Sequence, residues 1–144
     1  MRGVTEERLP AWTLVRAGHV AGRRFTEVFA AAGLTPTQFG VLRSLADGDG
    51  MTQAELARAV LVRPQSMGEL VGSLVARGLV ERAGPGGRGR RTGLALTAAG
   101  HDALAAAMPG VVAFNAPETL GLTAEQAVVL DDLLRTVLRA LGEE

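Results

Sequence analysis

The most constraining feature of this chain is a pair of helix openings set close together, at Thr52-Gln53-Ala54-Glu55 and at Pro64, with the turn Leu61-Val62-Arg63 between them. Thr52 can accept from the Glu55 backbone N–H while Glu55 reaches back, a reciprocal cap that opens a helix over about 53–60. Pro64 lacks an N–H at the one helical position where none is needed, so it opens a second helix over about 64–77. On that helix Met67, Leu70, Val71 and Leu74 recur at i, i+3, i+4 and i+7, a single apolar stripe. A short helix, a tight turn and a second helix sharing one core make a helix-turn-helix.

The flanking segments extend this unit. Gly78 closes the second helix. The partly apolar runs Leu79-Val80-Glu81-Arg82 and Gly93-Leu94-Ala95-Leu96-Thr97 then bracket AGPGGRGRRT, which holds no core-forming residue. Two short strands around a glycine- and arginine-rich tip predict a β-hairpin over about 79–96.

Upstream, a helix over 5–32 is expected from Leu9, Trp12, Val15, Val20, Phe25, Val28 and Phe29, stopped by Gly33. Thr35-Pro36-Thr37-Gln38 caps another over 36–47, with Phe39, Val41, Leu42 and Leu45 on its buried face. Asp47-Gly48-Asp49-Gly50 ends it. Downstream, Thr97 caps a helix over 98–115, with a kink or break expected near Met108–Gly110 because Pro109 donates no hydrogen bond. Thr123-Ala124-Glu125-Gln126 opens the last helix over 124–141, with Val129, Leu130, Leu133, Leu134, Val137, Leu138 and Leu141 as its stripe. The fold class is mainly α with a small β-hairpin wing: a winged helix-turn-helix over about 35–97, flanked by helices at about 5–32 and within 98–144. The chain reads as a single domain over 1–144.

The formal net charge of zero hides an uneven distribution. From Arg58 to Arg91 there are seven arginines against two acids, Glu69 and Glu81, whereas from Glu118 onward six acids face two arginines. A basic middle fits a polyanion, and the acidic tail cancels it only in the sum. All fifteen basic residues are arginine, which GC-rich coding explains more simply than a functional choice. With no cysteine, disulfides, thiolate catalysis and thiol-ligated metals are excluded. One Trp, four Phe and no Tyr make a poor stacking platform for single strands. No apolar run approaches a membrane span and the N-terminus does not read as a secretory signal, so no membrane partner and a cytoplasmic location are expected.

A reading helix must offer short polar side chains to the major groove from its N-terminal turns. Opposite the stripe on 64–77 lie Gln65, Ser66, Glu69 and Ser73. Gln can bond adenine bidentately, Ser can take a base or a phosphate, and Glu can accept from cytosine N4. Arg63 just before them suits a phosphate. Gly68 and Gly72 each cost about 1 kcal/mol against Ala in a helix, which close approach to another surface would offset. Arg88, Arg90 and Arg91 at the hairpin tip suit the narrow minor groove.

The segments GLTPTQFGVLRSLAD (33–47), TQAELARAVLVRPQSMGELVGSLVARGLVER (52–82) and LALTAAG (94–100), taken together, resemble the MarR family of winged-helix regulators over nearly the whole chain. The resemblance implies an obligate homodimer built from the terminal helices, double-stranded DNA as partner, recognition by the helix at 64–77 and minor-groove contacts from the wing. It implies transcriptional repression on a pseudo-palindromic operator, relieved by a small aromatic or phenolic effector. The family's wing usually carries an Asp before its key Arg. Here no acid lies between Glu81 and Asp102, so Arg90, with Arg88 and Arg91, reads as anchor or shape reader more than base reader.

In that family the ligand cleft lies between the dimerisation helices and the winged domain, and Trp12, Arg16, His19, Phe39 and Met108 stand at matching places. Core packing is the simpler reading of Phe39 and Met108; Arg16 and His19 are polar groups that need a partner if they face a cavity. His19 and His101 are too few for a metal site, so no metal or cofactor is expected. No catalytic grouping can be assembled, and the run GPGGRG lacks the Lys-Ser/Thr of a phosphate loop, so no enzyme is expected. The alternative is a ligand-binding or protein-interaction module that keeps the fold without specific DNA binding, favoured by Glu69 on the reading helix and the zero net charge.

Overall fold

The computed structural model describes residues 7–47, 50–83 and 93–142. Its elements are α1 (Pro10–Ala30), α2 (Pro36–Asp47), α3 (Gln53–Ala59), α4 (Pro64–Ala76), β1 (Val80–Ala83), β2 (Gly93–Leu96), α5 (Ala98–Asn115), a 3-10 turn (Pro117–Leu120) and α6 (Ala124–Ala140). They divide into two compact units, Met1–Ala107 and Met108–Glu144, with the boundary inside α5.

The core of the first unit is assembled from one face of each central element. Val41, Leu42 and Leu45 of α2, Leu56 of α3, Met67, Val71 and Leu74 of α4, and Leu94 of β2 are all fully buried. Burying one such side chain stabilises by about 1.5–3 kcal/mol relative to leaving it in water. Leu70, expected in the same stripe, is half-buried. No charged or polar residue is buried among the described residues.

The expected caps form. Thr35 Oγ1 accepts from the Gln38 N–H at 3.2 Å while Gln38 Oε1 accepts from the Thr35 N–H at 3.0 Å. Thr123 and Gln126 repeat this with the same two distances at α6. At α3 the reciprocal half differs: Thr52 Oγ1 accepts from the Glu55 N–H, and the hydroxyl donates to Glu55 Oε1 at 3.0 Å.

Two expectations need correction. Helix α1 begins at Pro10, and residues 7–9 are not helical. The pyrrolidine ring disfavours the helical conformation in the preceding residue, and Leu9 sits at φ −114° and ψ 79°. Of the kink or break expected near Pro109, the break does not occur: helix α5 continues through Pro109. One missing donor costs a single hydrogen bond, and alanines before it and Val111 to Phe114 after it carry the helix on.

The β1–β2 hairpin is antiparallel, pairing Val80 with Leu96 and Ala83 with Gly93. A third segment joins through an isolated bridge between Met51 and Leu94. Gly93 is required there: a Cβ on it would lie 2.9 Å from the Gly50 Cα. The start of α5 is tied back to the end of α4. Thr97 Oγ1 donates to the Gly78 carbonyl at 2.6 Å and accepts from the Gly100 N–H at 3.0 Å. The Thr97 N–H donates to the Leu79 carbonyl at 3.2 Å. Gly100 allows this closeness, since a Cβ there would fall 2.1 Å from the Leu79 carbonyl oxygen.

Three helix ends in the first unit close alike. Beyond α1, α3 and α4, the N–H groups of Leu34, Val62 and Leu79 donate to the carbonyls of Phe29, Ala57 and Leu74, each at 3.0 Å. Each bond spans a residue with left-handed backbone: Gly33, Leu61 and Gly78. For a side-chain-bearing residue this conformation costs about 1–2 kcal/mol.

The second unit presents a different surface. Val129, Leu133 and Leu138 on α6 are 56%, 59% and 45% exposed, and no residue of α6 is buried. On the same helix Asp131 and Arg135 pair at 2.7 Å, one helical turn apart. That hydrogen bond pushes the Arg135 guanidinium further above its ordinary value.

Candidate nucleic-acid interface

Helix α4 is held as a rigid ridge. Its inner stripe, Met67, Val71 and Leu74, is fully buried. Arg77 at its C-terminal end reaches the Gln38 side chain of α2 at 3.4 Å. With one side fixed, the other side has a defined direction. Gln65, Ser66, Glu69 and Ser73 are all exposed on it, and Arg63 is exposed at the helix entrance. Arg63 occupies the capping position without a side-chain cap bond. Amide, hydroxyls, carboxylate and guanidinium together supply donors and acceptors of the kinds that base edges and phosphates complement.

The two glycines of α4 differ. A Cβ on Gly68 would lie 3.3 Å from Gln53 Nε2, so Gly68 makes room for the first residue of α3. A Cβ on Gly72 would have no neighbour within 4 Å among the described residues. The reason for Gly68 therefore lies inside the chain. The helix cost at Gly72 has no such answer there.

The wing arginines Arg88, Arg90 and Arg91 lie outside the described residues. What is described of the hairpin is its base, fastened by the Thr97 bonds to the end of α4.

The effector candidates do not share one environment. Trp12, Arg16 and His19 are exposed on α1, with Trp12 60% accessible. Phe39 is half-buried and stacks on Phe29 at 4.5 Å between ring centres, and Phe29 stacks on Phe25 at 5.4 Å. That ladder ties α1 to α2, which makes packing the evident role of Phe39. Met108 is half-buried and belongs to the second unit. Among the described residues no three His, Asp or Glu gather as a metal-ligand set. None of the described helices is long and apolar enough to cross a membrane.

Sequence reasoning did not identify Gln53, Leu61 or the second role of Thr97. Thr97 was legible as a cap, but its bond to the Gly78 carbonyl joins residues far apart in the chain. Leu61 has no sequence signal at all, because leucine rarely adopts the backbone it holds.

A family model described as the MarR family matches residues 32–91. The HTH-type transcriptional repressor Rv2887 of Mycobacterium tuberculosis is 32% identical over 124 residues, covering 86% of this chain and 89% of that protein. The transcriptional regulator HosA of Escherichia coli is 34% identical over 106 residues, covering 73% and 78%. The crystal structure of Rv2887 in complex with DNA matches at a TM-score of 0.75 and 29% identity, over 91% of this chain and 98% of that one. Its complex with salicylic acid matches at 0.74 and 30%, over 93% and 99%.

Proposed function

This chain belongs to the MarR family, and from that premise we propose that it is a homodimeric, sequence-specific DNA-binding regulator of transcription, acting as a ligand-responsive repressor in the cytoplasm. The observation that carries the reading is the two-sidedness of α4: three side chains with no exposure at all on one side, and Gln65, Ser66, Glu69 and Ser73 free on the other. A base-reading helix needs both, since discrimination of about 1–3 kcal/mol per bidentate contact requires that the donors do not move away. Arg63 at the entrance supplies a phosphate contact, which positions the helix. Arg88, Arg90 and Arg91 supply the wing's contacts on the strength of their sequence alone. The regulatory reading requires no catalytic step.

Dimerisation is supported by the apolar residues the chain leaves open. Leu9, Trp12, Val15 and Val20 near and on α1, and Val129, Leu133 and Leu138 on α6, are each 45% or more exposed. Covering such surfaces with a second copy removes them from water, the main favourable term in association. In this reading the chain over 1–144 carries its winged helix-turn-helix at about 35–97 and its dimerisation helices at about 5–32 and 98–144.

A small aromatic acid as effector is supported by the salicylic acid complex of Rv2887. In this chain Arg16 and His19, on one face of α1, offer a cation and a ring nitrogen for a carboxylate. In a thermal-shift screen of aromatic acids and phenols, a true effector at about a hundred times its Kd stabilises by about 2.7 kcal/mol.

The deciding experiment is enrichment of duplexes from a random pool. The expected product is a pseudo-palindrome with half-sites about one helical turn apart. A protein that holds no duplex more tightly than bulk DNA at physiological salt is instead a ligand-binding or interaction module on the same fold. Once a duplex is in hand, Arg90→Ala weakens its binding and flattens the salt dependence by about one counterion.

A further inference from the structure

Among the described residues a single non-glycine residue holds a left-handed backbone, Leu61 at φ 56°. It lies in the turn between α3 and α4, and its side chain is 62% exposed. The equivalent position at two other helix ends of the same unit is glycine, Gly33 and Gly78, both at φ 73°. All three ends close with the same bond at 3.0 Å. The fold therefore asks for a left-handed residue at 61, and glycine supplies it without the crowding of Cβ against the following carbonyl. Leucine keeps that crowding and recovers little by packing, because most of its side chain faces solvent. Strain held at one position without an internal return points to a role outside the chain's own packing.

The neighbours say what that role is. Arg58 and Arg63 flank Leu61 and are both exposed, as are Gln65 and Ser66 just beyond. No acid lies between Arg58 and Ser66. In a helix-turn-helix the second helix enters the groove with its N-terminal residues on the bases while the first crosses the backbone, which brings the turn between them to the groove edge. We propose that Leu61 is a DNA-contact residue that lays its isobutyl group on an apolar surface of the duplex at that edge, a deoxyribose face or a thymine C5-methyl. The left-handed turn aims the side chain outward beside Arg63, so that an apolar contact adjoins the phosphate contact. The inference rests on the reading of α4 as the groove-entering helix.

The test uses the full-length protein and the duplex it enriches from a random pool, with affinity measured across a salt series and thermal melting measured for each variant. Asn and Gly both tolerate the left-handed backbone, so Leu61→Asn and Leu61→Gly melt at or above the wild-type temperature. Both weaken the enriched duplex about tenfold, the size of one lost base-edge contact. Their salt slope is unchanged, because an apolar contact releases no counterion. Leu61→Met, which keeps an apolar side chain, binds within about twofold of wild type. Arg63→Ala differs in kind, lowering the slope by about one. Deoxyuridine in place of thymidine separates the two surfaces: a loss for wild type that Leu61→Asn does not share identifies the methyl group, and no loss in either identifies deoxyribose. Equal affinity of wild type and Leu61→Asn overturns the proposal while leaving α4 as the reading helix, and it leaves a protein partner as the occupant of that turn. If wild type enriches no duplex, the reading of α4 fails and the role of Leu61 falls with it.

Discussion

Helices α4 and α6 carry the same pattern and meet opposite fates. In α4, Met67, Val71 and Leu74 recur on one face and are wholly buried. In α6, Val129, Leu133 and the residues around them recur in the same way, and none is buried. An apolar stripe states that a face wants covering, but it does not state by what. The face of α4 is covered by elements close to it in sequence, α3 and β1. The face of α6 awaits something beyond its own unit, and a second copy of the chain is the occupant the family reading assigns.

The strongest way to break this comparison is to truncate the buried side. Leu74→Ala removes a fully buried side chain and is expected to cost about 2–5 kcal/mol in chemical denaturation. A loss under 1 kcal/mol would mean that α4 is not locked and its outer face has no fixed direction. Next in size is Gly100→Ala, whose Cβ falls 2.1 Å from the Leu79 carbonyl oxygen. Overpacking there is expected to cost about 1–3 kcal/mol, with the added signature that operator affinity falls as the end of α4 is displaced.

Smaller effects probe α6 itself. Thr123→Ala removes the hydroxyl that caps it and is expected to lower stability by about 1 kcal/mol, read as a drop in melting temperature. The smallest change in the monomer is Leu133→Ala, within about 0.5 kcal/mol when the protein is dilute enough to be monomeric. The same substitution is expected to raise the dimer dissociation constant in sedimentation equilibrium. If Leu133→Ala instead destabilises the monomer as much as Leu74→Ala, the contrast between the two helices disappears.

Most of the helical scaffold was legible because its signals are local. Thr35 with Gln38, Thr52 with Glu55 and Thr123 with Gln126 lie three residues apart, within reach of one helical turn, and each cap forms. The N-terminal boundary was misplaced because apolar spacing continued through Leu9 while the ring of Pro10 forbade the helix behind it. The outer face of α4 was legible by subtraction, once Met67, Val71 and Leu74 were assigned inward. The effector candidates were less so: Phe39 is engaged in a ring stack with Phe29 that no spacing rule encodes.

What the amino-acid order alone determined is everything that rests on a neighbour within about one turn: where helices start, which face of each is apolar, and that a basic hairpin follows the second helix of a pair. Tertiary structure decided which apolar faces the chain itself covers, that Thr97 and Gly100 fasten α5 to the end of α4, and that Leu61 takes a backbone usually left to glycine. The reason is physical. Periodicity and caps are set by the geometry of a single helix, whereas burial and close approach exist only between segments that are distant in sequence and become adjacent on folding. The strain at Leu61 is local but is held by the packing of α3 against α4.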